Sequence, residues 1–141
     1  MATHREEIHT LASPDQVWDA IRDVGALHTR LVPGFVVDTR LEDGARIVTF
    51  GNGVVLKEPI VSLDEPARRL AWTAEGGRTT HYNSSVQVFP EGEGRALVVW
   101  LSDFLPNSVA PEIGAAMQLG ATVMRDTLDR LAAEGGRSAA E

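Results

Sequence analysis

The sequence predicts an α+β domain in which a curved, seven-stranded antiparallel sheet wraps around one long C-terminal helix, with two short helices between the first two strands. Three observations give this prediction. Six short β-rich runs follow one another between residues 33 and 104, separated by turn residues. A further β-rich run precedes a short helix near the N-terminus. A long amphipathic segment ends the chain, and its apolar stripe requires a sheet to cover it.

Composition and charge limit the classes of function. The 141 residues suit one domain, residues 1–135, followed by a frayed tail, 136–141. The 20 acidic and 13 basic residues give a net charge of −7, which argues against nucleic acid or an anionic membrane surface as a partner. Without cysteine the chain has no disulfides, which permits a cytoplasmic location. No apolar run reaches membrane-spanning length, so membrane insertion is not expected.

The N-terminal elements carry clear local signals. "REEIHTLA" is the first predicted strand, and "SPDQVW" is a strong helix start. Ser13 can cap the helix, Pro14 suits its first position, and Gln16 completes a capping box. We expect the helix to run from Pro14 to about Asp23, followed by a second short turn of helix over Ala26–Thr29.

The remaining strands and the long helix follow from periodicity. The six runs predict an antiparallel meander: "FVVDTRLE", "ARIVTFG", "VVLKEPIVSLD", "RRLAWTAE", "YNSSVQVF" and "RALVVWLSDF". The last helix is expected over roughly Pro106–Ala133. Its stripe recurs at intervals of three and four residues: Val109, Ile113, Met117, Gly120, Met124, Leu128 and Leu131.

Alternation along the strands suggests a cavity beneath the long helix. It places Trp72, Tyr82 and Trp100 on one face, which we take as the concave one. Four polar residues share this face, and a packed core seldom admits several without partners: Glu58, Tyr82, Ser84 and Ser102. Gly120 would leave volume unfilled, although tight packing of helix on sheet also uses glycine. The pattern alone leaves both interpretations open.

Several segments resemble one superfamily over nearly the whole chain. "SPDQVWDAIRDVGALHTRLVP", "GNGVVLKEPIVSLDEPARRLAW" and "HYNSSVQVFPEGEGRALVVWLSDFLP" are similar to motifs of the SRPBCC superfamily, in its polyketide cyclase/dehydratase branch, which is related to START-type lipid-transfer domains. The resemblance implies a helix-grip fold around a deep hydrophobic cavity. Since the superfamily includes carriers, receptors and enzymes, the fold does not decide the chemistry.

The candidate site combines the predicted inner face with the turn after the first helix. In this fold His28 and Arg30 would lie at the cavity mouth, either meeting a ligand or simply solvated. Glu58 is a candidate general base or ligand anchor, but pairing with Arg46 or Arg30 is favoured. Tyr82 could donate a hydrogen bond or a proton, or bond to a neighbour. The ligand-binding candidates are Trp18, His28, Arg30, Phe35, Glu58, Trp72, Tyr82, Ser84, Trp100, Ser102, Phe104, Met117, Gly120 and Met124.

Three classes of function are compatible with these features. The favoured one is binding of a small hydrophobic or aromatic, lipid- or polyketide-like molecule. The second is a polyketide cyclase/dehydratase-type enzyme, with Glu58, Tyr82 and His28 as catalytic candidates. The third is a structural or interaction domain, for example a homodimer formed through the long helix or an exposed sheet face, where Leu97, Val99 and Leu101 would form an apolar stripe opposite the cavity face. No metal-ligand or phosphate-loop pattern occurs, so neither a metal nor another cofactor is expected.

Overall fold

The computed structural model describes the backbone of residues 1–140 and the side chains of residues 1–135. The N-terminal strand β1 (Ala2–Thr10) is followed by α1 (Pro14–Arg22), a 3-10 turn (Val24–Ala26) and a π-helical turn (Leu27–Leu31). Six strands and the last helix complete the chain: β2 (Val36–Glu42), β3 (Ala45–Phe50), β4 (Val55–Asp64), β5 (Arg69–Thr73), β6 (His81–Pro90), β7 (Ala96–Leu105) and α2 (Ala110–Ala140). The predicted tail, 136–141, lies outside the fully described part of the chain.

The sheet confirms the predicted fold class. Its seven strands are antiparallel in the order β1-β7-β6-β5-β4-β3-β2. The segment containing α1 and the two short turns therefore crosses from one edge of the sheet to the other. Bulges between Val36 and Asp38 and between Ile60 and Ser62 interrupt the ladders, and bulges increase the bend of a strand.

The first helix forms as its sequence predicts. The Ser13 hydroxyl accepts a bond from the Gln16 backbone at 3.1 Å, and the Gln16 side chain accepts one from the Ser13 backbone at 3.0 Å. These two bonds satisfy amides that would otherwise have no helical partner. The expected second helical segment around residues 26–29 is present and longer than predicted, because the 3-10 turn and the π-helical turn together span residues 24–31.

The long helix meets the sheet closely at Gly120. A Cβ atom there would lie 3.0 Å from the Trp100 ring and 3.1 Å from the Phe35 ring. The glycine therefore permits direct contact between α2 and two aromatic rings. The expectation that Gly120 leaves unfilled volume at its own position is wrong, because free space begins beside these rings. The helix also begins later than expected, since Asn107–Val109 form a 3-10 turn.

Hydrogen bonds join the C-terminal end of β1 to the second half of α2. The Asp129 carboxylate accepts bonds from the Thr10 hydroxyl at 2.7 Å and the Leu11 backbone at 2.9 Å. On the convex side, Leu97, Val99 and Leu101 are half-buried, so the expected apolar stripe is only partly available to a partner. Among residues 1–140, no helix is both long and apolar enough to cross a membrane.

Candidate functional site

A cavity of about 270 Å³ lies between the concave face of the sheet, the π-helical turn and the first half of α2. The lining is largely aliphatic and aromatic. The sheet contributes Val36, Leu56, Leu70, Trp72, Val86 and Trp100, the π-helical turn Leu27 and Leu31, and α2 Ile113, Met117 and Met124. Such a lined space with a few polar groups is the usual form of a small-molecule site.

Half of the residues predicted for the site lie in this wall. They are Phe35, Glu58, Trp72, Tyr82, Trp100, Met117 and Met124. Six of the seven come from strand alternation or helix periodicity. The placement of the tryptophans and Tyr82 on the concave face is therefore as expected.

The other predicted residues lie away from the cavity wall. Trp18 and Arg30 are bound to acidic side chains, and His28 belongs to the π-helical turn without reaching the cavity. Ser84, Ser102 and Phe104 are fully buried and are not among the residues that line the cavity. Gly120 contacts the rings of two lining residues.

The expected mouth residues belong to a different local network. Arg30 donates to the carboxylates of Asp19 at 2.6 Å and Asp23 at 3.0 Å, which ties the π-helical turn back to α1. This bonding holds the pKa of the Asp19 carboxyl below its ordinary value. The Trp18 indole, which is buried in the core, donates to Glu65 at 2.9 Å. Neither Arg30 nor Trp18 is among the residues that line the cavity.

His28 is separated from the other two catalytic candidates. Its Nδ1 is buried without a hydrogen-bond partner among the described residues, and its side chain is absent from the cavity wall. Glu58 and Tyr82 do lie in that wall. The structure therefore brings two of the three catalytic candidates together and leaves the imidazole outside.

A buried ion pair forms the main polar feature of the cavity. Arg46 and Glu58 face each other on β3 and β4, and Arg46 Nε donates to Glu58 Oε1 at 2.9 Å. Both residues are almost fully buried, at 2% and 6% exposure. Burial raises the pKa of the Glu58 carboxyl above its ordinary value, while Arg46 opposes the rise. The predicted pairing with Arg46 is thus present.

Trp72 lies beside this pair and brings a second unusual feature. The Arg46 guanidinium carbon is 4.9 Å from the centre of the Trp72 ring, a distance at which cation–π attraction operates. The Trp72 indole Nε1 is buried and has no hydrogen-bond partner among the described residues. A buried donor without a partner costs free energy, so this position favours an acceptor nearby.

Tyr82 is linked to a chain of buried hydroxyls. Its phenol oxygen lies 3.1 Å from Ser102 Oγ, which lies 2.8 Å from Ser84 Oγ. Ser84 Oγ also accepts the Trp100 indole proton at 3.0 Å and donates to the Leu101 carbonyl at 3.2 Å. Burial raises the pKa of the Tyr82 phenol, so this group stays protonated at neutral pH.

The outer part of the cavity is bordered by a glycine-containing loop and the start of α2. Gly76, Gly77, Arg78 and Thr79 lie on the β5–β6 loop, and Arg78 pairs with Glu112 of α2. Both charged side chains are mainly exposed, at 72% and 54%. Their pairing connects the loop to the helix across this end of the cavity.

Sequence reasoning missed several lining residues. Arg46, which the sequence suggested only as a partner of Glu58, had a readable signal as a lining residue, because it alternates with Ala45 and Ile47 along β3. The loop residues Gly76–Thr79 offered none, since loops lack periodicity. Within the described residues, no group of three or more histidine or acidic side chains is placed to hold a metal ion.

Comparison with known proteins agrees with this architecture. Residues 1–136 match the family model described as polyketide cyclase / dehydrase and lipid transport. The chain belongs to this family. The resemblance to the SRPBCC superfamily is thereby confirmed, and no curated protein matches the chain significantly.

Solved structures share the fold of this family member. A solution structure from Thermobifida fusca is 26% identical, with 95% of each chain covered and a TM-score of 0.79. A START superfamily protein from Mycobacterium smegmatis is 9% identical, covering 94% of this chain and 97% of its own, with a TM-score of 0.74. Norcoclaurine synthase from Thalictrum flavum, in complex with dopamine and hydroxybenzaldehyde, is 21% identical, covering 94% and 87%, with a TM-score of 0.73.

Proposed function

We propose that this protein binds a small hydrophobic or aromatic molecule in its internal cavity. The observation that carries the proposal is the space of about 270 Å³ between the sheet and α2, with a wall built mainly of aliphatic and aromatic side chains. Transfer of apolar surface from water into such a space is favourable. The family description, which includes lipid transport, is compatible with this role.

The size of the cavity limits the ligand. An apolar cavity of about 150 Å³ holds benzene, so the present volume corresponds to roughly ten to twelve non-hydrogen atoms. A bicyclic aromatic molecule has this size. A long lipid would have to extend from this space into the neighbouring apolar groove, which shares Phe50 and Val54 with the cavity wall and continues to Leu119.

Binding can be tested with tetralin, a bicyclic hydrocarbon without polar groups. We expect saturable binding in ligand-detected NMR and an increase in Tm for the natural sequence. The variant Ala74→Leu places three more carbons in the cavity wall and should abolish most of this binding. Ala133→Leu makes the same change on the exposed side of α2 and serves as the control. Equal binding by both variants would contradict an internal site.

A second candidate function is dehydration of a β-hydroxy carbonyl compound. It is favoured by Glu58 and Tyr82 lying in one cavity wall, with a raised pKa at each. Glu58 would accept the proton next to the carbonyl, a carbon–carbon double bond would form, and the hydroxyl group would leave as water with the Tyr82 proton. The protonated Glu58 would then return its proton to the phenolate through solvent.

We favour binding over catalysis because the Glu58 carboxylate already accepts a hydrogen bond from Arg46, which makes it a weaker base. Turnover of 3-hydroxy-1-tetralone, a β-hydroxy ketone, by the natural protein, and its loss in both Glu58→Gln and Tyr82→Phe, would support the enzyme. Unchanged turnover in both variants would show that these residues do not have the assigned roles.

A further inference from the structure

The ion pair belongs to a row of cavity residues that crosses the sheet. Arg46 is paired with Glu58 in the β3–β4 ladder. The backbone amides of Lys57 and Glu75 each donate to the other residue's carbonyl, as in an antiparallel pair. This pairing places Ala74 directly opposite Glu58. All three side chains in this row line the cavity, because residues directly opposite one another share a face of the sheet.

The same row continues to Tyr82. The β5–β6 ladder pairs Thr73 with Asn83, so Ala74 and Tyr82 are the next opposed residues. Ala74 therefore lies between two long polar side chains and has the smallest side chain of the row. Neighbouring strands lie about 4.8 Å apart, so the backbones of Glu58 and Tyr82, with one strand between them, are separated by roughly 10 Å. The sheet thus offers a shallow pit above Ala74 with a polar group at each end.

One end of the pit supplies hydrogen-bond donors. A guanidinium has five N–H groups, and the Arg46 bond to Glu58 uses one of them. Trp72, whose buried Nε1 has no hydrogen-bond partner among the side chains of residues 1–135, lies on the neighbouring row of the same wall. Donors of this kind are satisfied by a carbonyl oxygen, because it offers two lone pairs and no competing proton.

The other end offers an acceptor. Ser84 donates its proton to the Leu101 carbonyl, so the Ser84–Ser102 bond uses the proton of Ser102. The bond between Tyr82 and Ser102 then uses the phenol proton. The Tyr82 oxygen keeps acceptor capacity, which a ligand hydroxyl can satisfy.

The charges of the wall favour an uncharged ligand. The positive charge of Arg46 is balanced by Glu58, and that of Arg78 by Glu112. A carboxylate or ammonium group in the cavity would therefore lack a free counter-charge and would lose its hydration. Wall chemistry and size together point to one class of compound.

We propose that the pit above Ala74 holds a neutral bicyclic molecule whose carbonyl oxygen accepts bonds at Arg46 and Trp72 and whose hydroxyl donates to Tyr82. This inference rests on the proposed function and adds the chemical class and orientation of its ligand. Both ends of such a molecule are bound by groups that are fixed before binding, which reduces the entropic cost of association.

Four related compounds test the inference. Tetralin has no oxygen, 1-tetralone has the carbonyl, 5,6,7,8-tetrahydro-2-naphthol has the hydroxyl, and 6-hydroxy-1-tetralone has both. At pH 7.5, each oxygen should strengthen binding by roughly three- to tenfold, the worth of one net hydrogen bond. In Tyr82→Phe, 6-hydroxy-1-tetralone should bind no better than 1-tetralone, whereas the advantage of 1-tetralone over tetralin should remain. Ser85→Ala, a change on the opposite face of β6, is the control.

The outcomes separate the two proposals. Equal affinities for all four compounds, or a hydroxyl advantage that survives in Tyr82→Phe, would overturn the oriented pit and leave hydrophobic binding intact. Stronger binding of the anion 6-hydroxy-1-naphthoate than of 6-hydroxy-1-tetralone would also overturn it. Failure of all four compounds to bind the natural protein would overturn both proposals. If Tyr82→Phe removed the advantage of the hydroxyl and kept that of the carbonyl, the proposed orientation of the ligand would be established.

Discussion

Substituting Gly120 by alanine sets two known effects against each other. Alanine stabilises a helix interior by roughly 1 kcal/mol relative to glycine. In this structure, however, the new Cβ would lie 3.0 Å from the Trp100 ring and 3.1 Å from the Phe35 ring. Trp100 cannot easily move, because its indole donates to Ser84 and its backbone is held within β7. We therefore expect the strain to fall mainly on Phe35.

The expected magnitude follows from these two terms. Overpacking of a buried contact costs about 1–3 kcal/mol, so Gly120→Ala should lower the free energy of unfolding by up to about 2 kcal/mol. Gly114→Ala is the matched control on the same helix. Its Cβ would meet the His4 ring at 3.2 Å, and that side chain is 24% exposed and can shift. This variant should be neutral or stabilising by up to about 1 kcal/mol.

Urea denaturation of the natural protein and both variants measures the difference directly, as a change in midpoint at constant m-value. Since Phe35 also lines the cavity, its displacement in Gly120→Ala should weaken binding of tetralin as well. If Gly120→Ala were as stable as Gly114→Ala, with unchanged tetralin binding, the close contact of helix and sheet at this point would be refuted.

Three further changes have defined outcomes. Burial raises the pKa of Glu58 above its unfolded value of 4.5, so the stability from its protonated form is present below pH 4.5 and is lost as pH rises through the folded pKa. The unfolding free energy of the natural protein minus that of Glu58→Gln should therefore fall by up to about 1.4 kcal/mol per pH unit in that range. A difference that stays constant with pH would contradict this prediction. Asp129→Ala should lower the free energy of unfolding, measured in urea, by about 2 kcal/mol, because the Thr10 hydroxyl and the Leu11 amide lose their acceptor. An equal effect of the exposed control Asp126→Ala would argue against this anchor. Ser13→Ala should lower stability by about 1 kcal/mol through loss of the capping box, and unchanged thermal unfolding would count against that role.

Regular alternation explains why much of the cavity wall could be predicted. Along β5, β6 and β7 the side chains alternate between the two faces without interruption, so alternation alone predicts Trp72, Tyr82 and Trp100 on the concave face. The order of strands could not be obtained in this way. Pairing of β1 with β7 joins segments about ninety residues apart, and local patterns contain no information on such contacts.

The turn after α1 shows the limit of periodic reasoning. Its π-helical geometry changes the direction of successive side chains, so neither a helix nor a strand period places His28 and Arg30 correctly. The acids that bind Arg30 are Asp19 in α1 and Asp23 directly after it, but only the actual path of the turn brings them within reach. Whether a polar side chain near a cavity faces the ligand depends on its hydrogen-bond and ion-pair partners, and the sequence does not specify these partners.

The Arg46–Glu58 pair is the feature that packing alone explains least. A buried ion pair gains little net stability, because the loss of hydration offsets the mutual attraction, and apolar residues of similar volume often replace such a pair at no cost. Here the pair lies in a cavity wall that is otherwise largely apolar, beside the Trp72 indole N–H, which has no hydrogen-bond partner in the described part of the chain. The ligand site that we propose would account for all three observations: a carbonyl oxygen above Ala74 would accept bonds from the indole and the guanidinium, and Glu58 would balance the charge of Arg46. The cost of burying the pair therefore supports our proposal.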